Sequence, residues 1–281
     1  VNDTTPDLSG RTALVTGAGR GLGWGVAVAL ARAGASVCVA DIEATDVARA
    51  VGDIEAEGGV ARGATFDVAD GAAFGAAVDD VVTAWGRIDA IVHAAIFMPL
   101  TRFEDLSDAS WRRQLDVGLG GFYNAVRAAW DPMVRQGGGH LVGIASGSSV
   151  RGYVDEVAYC TLKHGLEGMV KALSLETREH GLALNTVGPG APIKPTRLSW
   201  DELEATPEEV KASWADPRDL GRAFAWLIAQ DPRVWSGFRF DAGPIRDTLD
   251  REGVGFAVEP EKVTLYPDDF RARQAWREEA S

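Results

Sequence analysis

The chain has 281 residues and is short of cysteine, with two, and of basic side chains, with 28 Lys and Arg against 41 Asp and Glu. Cys38 lies in an apolar run of strand character and Cys160 in a helical stretch, so the pair makes no disulfide framework. A reducing, cytoplasmic setting is the expectation. The net charge of −13 opposes attraction to nucleic-acid phosphates or to an anionic membrane. Nucleic acid is therefore not an expected partner. No apolar run approaches the roughly 18 residues of a membrane span, and Val1–Ser9 is polar rather than basic and then apolar. Neither a membrane anchor nor a secretory signal is expected. Only four histidines occur, and neither His93 nor His140 has a carboxylate, cysteine or histidine at ligand spacing. A metal site is not expected either, which leaves chemistry on a small molecule.

What the chain has is a regular alternation. Short β-branched runs occur at Thr12–Thr16, Ser36–Ala40, Val60–Phe66, Ile88–His93, Leu141–Ala145, Leu182–Val187 and Phe238–Phe240, separated by helical stretches such as Trp24–Arg32. Strands and helices alternating at this length imply right-handed crossovers and a parallel sheet covered on both faces. The expected fold is α/β, a single doubly wound Rossmann-like domain over residues 8–243. Asp108–Val134 is long enough to cross one face, and residues 189–215, rich in Pro and Trp, read as a lid over the substrate. Residues 244–281, charged and interrupted by Pro260 and Pro267, read as a C-terminal tail.

Residues 16–23 read TGAGRGLG, between the first strand and the first helix. Gly17, Gly21 and Gly23 allow a tight turn, close approach of backbone to a pyrophosphate and close helix packing, and the helix N-terminus supplies N–H groups and a positive dipole end. Gly19, Arg20 and Leu22 belong to the same turn. A bland strand-to-helix turn would also use glycines, so Asp41 decides. It ends the second strand eighteen residues beyond Gly23, where a carboxylate accepts hydrogen bonds from a ribose 2′-hydroxyl. NAD is the expected cofactor, although Arg20 is of the type that accompanies a 2′-phosphate.

A second constellation is Ser146 at the end of a strand, followed by Tyr159-Cys160-Thr161-Leu162-Lys163. Tyr159 and Lys163 are four apart on a helix and share one face. Together with the glycine turn, Asp41, the pair Asp67 and Val68, Asn185, Pro189 and Gly190, and Asp241-Ala242-Gly243, this ordered set resembles the short-chain dehydrogenase/reductase family over residues 8–243. The resemblance implies an oxidoreductase that interconverts an alcohol and a ketone, with Ser146, Tyr159 and Lys163 catalytic. It further implies that Asp67 and Val68 lie near the adenine, that Lys163 bonds the nicotinamide ribose, and that Ala95, Pro189 and Gly190 contribute to the cofactor wall. A homo-oligomer is implied too, a tetramer, with Asp108–Val134 and Val157–His180 at an interface and the tail packing through Phe256, Val258, Leu265 and Tyr266.

The chemistry explains the residue types. A phenol with a pKa of about 10 is about 0.1% ionised at neutral pH, and Lys163 supplies the cation that favours the phenolate. Each unit of lowering corresponds to roughly 1.4 kcal/mol. Ser146 would hold the substrate oxygen while charge develops on it. Ile96, Phe97, Tyr153, Leu198 and Trp200 lie on loops at the carboxyl edge of the sheet and predict an apolar, cyclic or aromatic substrate.

Three positions depart from the family pattern. His93-Ala94-Ala95-Ile96 stands where the family has Asn-Asn-Ala-Gly, and Gly118 stands where it has a catalytic asparagine that holds a relay water. Two readings of Gly118 stand open: a space refilled by water, which keeps the proton relay, or close helix packing, which impairs it. After Pro189-Gly190 the chain reads APIKPT, so the cofactor contact made by a threonine in the family is carried over to Thr196. The missing asparagine also keeps alternatives open, an NAD-binding regulator without turnover or a non-redox enzyme on the same fold.

Overall fold

The computed structural model describes residues 4–195 and 198–256. Seven strands, β1 (Thr12–Thr16), β2 (Ser36–Asp41), β3 (Val60–Thr65), β4 (Ala90–His93), β5 (Gly139–Ile144), β6 (Leu182–Gly188) and β7 (Arg239–Asp241), form one parallel sheet in the order β3-β2-β1-β4-β5-β6-β7. The chain reverses direction across the sheet between β1 and β4, and there the loops after the two strands diverge into a crevice.

Helices cover both faces because the strands are apolar on both sides. β1, β4 and β6 are buried along their whole length. On one face, α1 (Gly21–Arg32), α2 (Ala44–Ala56) and α9 (Pro217–Ala229) pack a core around Leu30, Ile54, Phe224 and Trp226. On the other, α3 (Gly71–Trp85), α5 (Gly121–Gln136) and α6 (Val157–Glu176) enclose Phe74, Phe122, Met133 and Leu166. Fully burying each large side chain contributes about 1.5–3 kcal/mol. Local signals set the helix starts: Asp70 accepts from the N–H groups of Ala72 and Ala73 before α3, and Asp216 precedes Pro217 at the first position of α9.

The stretch predicted as one crossing helix is α4 (Asp108–Leu115), a π-helical turn at Asp116–Gly120 and then α5. Such turns free backbone groups from the regular ladder and are frequent at functional sites.

Residue 243, the expected end of the domain, falls inside a helix. Helix α10 spans Ala242–Glu252 and buries Ile245 and Leu249, and beyond it Phe256 stacks on Trp226 at 5.4 Å between ring centroids. Amphipathic spacing, Ile245 to Leu249 at i, i+4, is present in the sequence but masked by the surrounding charges. Phe256 thus packs on its own chain; Val258, Leu265 and Tyr266 lie outside the described residues. In the predicted lid, two short helices, α7 (Trp200–Glu204) and α8 (Glu208–Lys211), follow Pro189, and Thr196 lies outside the described residues.

Candidate active site

A cavity of about 490 Å³ opens at the carboxyl ends of β1, β4 and β5, and its wall joins the glycine turn to the Ser146, Tyr159 and Lys163 set. Gly17, Arg20, Gly21, Leu22 and Gly23 line one end with Asp41, Asp67 and Val68. Ala95, Ile96, Phe97 and Pro189 line the other with the three predicted catalytic residues.

The turn is shaped as the sequence requires. Gly17 has φ +63°, and a Cβ there would lie 2.6 Å from the Ala95 backbone; a Cβ on Gly23 would lie 2.2 Å from the Gly17 carbonyl oxygen. Both positions are closed to any side chain, and α1 starts directly behind them with no acidic residue in its first turn. Amide groups and the positive end of the helix dipole therefore face the cavity with no carboxylate from the helix's own first turn. Asp41 is held by backbone: its carboxylate accepts from Gly19 N at 3.0 Å and from Ile42 N at 2.8 Å. Arg20 is drawn aside to Asp46, 3.8 Å away. Asp67 accepts from Arg113 at 2.7 Å and from Ala69 N at 3.0 Å. Burial raises the Asp67 carboxyl, but these donors outweigh it and leave the group below its ordinary pKa.

At the catalytic end, Lys163 is buried within α6 and donates from Nζ to the Ile144 carbonyl at 2.6 Å, with Nζ 5.4 Å from the centre of the Tyr159 ring. Burial lowers its pKa to about 8, against the opposing pull of Glu167. Burial also raises the Tyr159 hydroxyl, only partly offset by its hydrogen bond with Ser146. Ser146 Oγ accepts from Ser148 N at 3.2 Å, which fixes its direction.

Several predicted residues stand elsewhere. Trp200 does not reach the cavity; its indole N–H donates to the Gly19 carbonyl at 3.1 Å, and its ring meets Trp24 edge-on and lies under Arg49. It braces the glycine turn from outside. Leu198 offers its carbonyl to Lys194 Nζ at 2.7 Å and is absent from the wall. Tyr153 is an exposed side chain over Gly147 and is absent from the wall. Gly19 and Gly190 shape turns behind the wall, Gly190 with φ +60° against Asp241.

The structure also shows what sequence reasoning missed. Lys194 lines the cavity beside Gly21, and burial with the nearby Arg20 charge lowers its pKa to about 8. Behind the catalytic residues, buried Arg239 pairs with Glu167 and donates to the Ser146 carbonyl at 2.9 Å, while Thr186 Oγ1 donates to Glu167 at 3.0 Å. Glu167 lies one turn beyond Lys163 on α6, a spacing that was legible.

The two departures from the family pattern interlock. A Cβ on Gly118 would meet Leu162 Cδ1 at 2.8 Å and Ile96 Cδ1 at 3.0 Å. Apolar side chains crowd the position, which favours the close-packing reading over the water-refilled one. His93 is buried and lies 2.9 Å from Thr16 Oγ1 through Nδ1 and 3.1 Å from the Val117 carbonyl through Nε2. A carbonyl only accepts, so Nε2 carries the proton and Nδ1 accepts from the threonine. Burial holds its pKa at about 4, so the imidazole is neutral.

Among the described residues no cluster of three metal-ligating side chains occurs, and no helix is long and apolar enough to cross a membrane.

Comparison with known proteins agrees with this geometry. The short chain dehydrogenase family model matches residues 11–205. Cyclohexanol dehydrogenase of an Acinetobacter species is 30% identical over 234 residues, 83% of this chain and 93% of that protein. Among solved structures, 7α-hydroxysteroid dehydrogenase complexed with NADH and 7-oxo glycochenodeoxycholic acid superposes with a TM-score of 0.74 at 26% identity, covering 86% of this chain and 96% of that one. A metagenomic short-chain oxidoreductase in complex with NADP gives 0.70 at 26% identity, covering 83% and 98%. The chain belongs to the short-chain dehydrogenase/reductase family, oxidoreductases on a fold that binds nicotinamide cofactors.

Proposed function

We propose that the chain is an NAD-dependent dehydrogenase or carbonyl reductase that interconverts a secondary alcohol and a ketone on an apolar, cyclic or aromatic substrate. The observation that carries this reading is the convergence of Ser146, Tyr159 and Lys163 with the glycine turn and Asp41 in one cavity. The bound nicotinamide supplies the hydride chemistry. Gly17, Gly21 and Gly23 would receive the pyrophosphate at the start of α1, with Lys194 as a cation above it, and Asp41 would accept from the adenosine ribose. The Asp41 carboxylate repels a 2′-phosphate, and Arg20, paired with Asp46, offsets this little.

Tyr159 moves the proton. Its raised pKa keeps the phenol protonated at neutral pH, the form that donates to a carbonyl oxygen during reduction. Ser146 donates to the same oxygen as negative charge builds on it. Lys163 orients the nicotinamide ribose and favours the phenolate needed for oxidation. Ile96 and Phe97 form the apolar side of the cavity. Similarity to enzymes named for cyclohexanol and hydroxysteroids supports a cyclic substrate.

Replacing Tyr159 by Phe tests the proposal. Turnover should fall by 10² or more, the scale of acid–base catalysis, with NAD binding almost unchanged. Retention of about a tenth of the activity would contradict the role.

A further inference from the structure

We propose that Ser148 and Glu156 form the proton exit of this enzyme, a hydroxyl relay from Tyr159 through Ser146 and Ser148 to the Glu156 carboxylate. The inference rests on Tyr159 being the acid and base of the reaction.

The links are contiguous, and the two beyond Ser146 run outward. Tyr159 and Ser146 are hydrogen-bonded, an interaction that favours the phenolate. Ser146 Oγ donates to Ser148 Oγ at 3.4 Å, the weakest link, and Ser148 Oγ donates to Glu156 Oε2 at 2.7 Å. Ser148 is 3% exposed, whereas Glu156 is half-buried and borders solvent. Glu156 stands at the N-cap of α6 yet makes no side-chain cap bond; its carboxylate is turned to Ser148 instead.

The lysine side is more constrained among the described residues. Lys163 Nζ is engaged by the Ile144 carbonyl, the space at Gly118 is closed by Ile96 and Leu162, and His93 is a neutral imidazole with a fixed tautomer. The serine side is polar from the phenol to the surface.

In oxidation the substrate hydroxyl gives its proton to the Tyr159 phenolate, and the carbon gives its hydride to NAD. Tyr159 then passes its proton to Ser146 Oγ, Ser146 passes its own to Ser148 Oγ, and Ser148 passes its own to the Glu156 carboxylate. Glu156 releases one proton to water. Three O–H bonds form along the relay and three break, the phenolate is restored, and each serine hydroxyl rotates back before the next turnover. Reduction runs the same transfers in reverse.

The test uses Ser148→Ala and Glu156→Gln in the full chain with NAD and a panel of cyclic and aromatic secondary alcohols. Ser148→Ala keeps the backbone N–H that positions Ser146, and Glu156→Gln keeps an acceptor for Ser148, so both preserve the fold and the serine geometry. The relay predicts a fall in kcat of about tenfold or more for each, unchanged NAD affinity, a larger solvent isotope effect on kcat, and recovery with increasing concentration of small buffers such as imidazole or formate. Wild-type kcat in both variants, or a loss that no buffer restores, overturns it. Tyr159→Phe separates the two claims: if it is inactive while both relay variants match wild type, the relay alone is wrong. If Tyr159→Phe stays active, or the wild type turns over nothing in the panel, the underlying reading is wrong and the relay falls with it.

Discussion

Restoring the family asparagine at Gly118 should harm this protein. The Cβ alone would sit 2.8 Å from Leu162 Cδ1 and 3.0 Å from Ile96 Cδ1, and the amide beyond it needs further room. Overpacking of this kind costs about 1–3 kcal/mol, while leaving glycine returns a few tenths of a kcal/mol of helix propensity. A buried amide without a partner adds about 1–3 kcal/mol more. Gly118→Asn is therefore expected to lose at least 1–2 kcal/mol, a fall in Tm of roughly 2–8 °C for a domain of this size. It should not raise kcat. Ile96→Gly should remove most of the clash, and in a double-mutant cycle the two changes should couple favourably by about 0.5–3 kcal/mol. Thermal unfolding of the two single variants and the double variant, with kcat beside it, checks this. A stabilised or faster Gly118→Asn, or strict additivity with Ile96→Gly, would refute the packing account.

Four further outcomes are expected. Catalytic efficiency (kcat/KM) should favour NAD over NADP by about tenfold or more, and Asp41→Ala should erode the preference, since the carboxylate sets it; equal use of both cofactors by the wild type contradicts the assignment. Lys194→Gln should weaken cofactor binding several-fold without changing turnover at saturation, read by isothermal titration and kcat, because the side chain lines the cavity with its Cε beside Gly21. His93 and His140, each lowered from 6.5 to about 4 by burial, must take up protons on unfolding. Their contribution is complete above pH 6.5 and is lost as pH falls toward 4, roughly 3 kcal/mol each, so His93→Gln should flatten the urea-midpoint profile in that window. Light scattering should show a tetramer, consistent with exposed Tyr123 on α5 and Leu175 on α6; a fully active monomer contradicts it.

The sheet was legible because each strand is a short apolar run bounded by a turn, and the two halves of the site were legible because they sit at strand ends in a fixed order. Tyr159 and Lys163 at i, i+4 needed only helix geometry. What stayed hidden depended on contacts between distant segments. Trp200 sits 181 residues from the Gly19 carbonyl it binds, and nothing local separates a bracing indole from a substrate-facing one. Lys194 looked like part of a proline-rich interruption until the fold laid it beside Gly21. Gly118 and Ile96 each read as an isolated departure, whereas together with Leu162 they are one packing solution. Ser148 and Glu156 carried no signal of their own, since a serine in a turn and a glutamate at a helix start are ordinary.

The central claim is turnover by this site, and the most direct measurement follows the near-ultraviolet absorbance of reduced nicotinamide when the wild-type protein, NAD and a panel of cyclic and aromatic secondary alcohols are mixed. The account predicts substrate-dependent NADH formation with at least one cyclic alcohol, lost in Tyr159→Phe. Saturable NAD binding with no absorbance change across the panel, or the same rate in Tyr159→Phe, would contradict it.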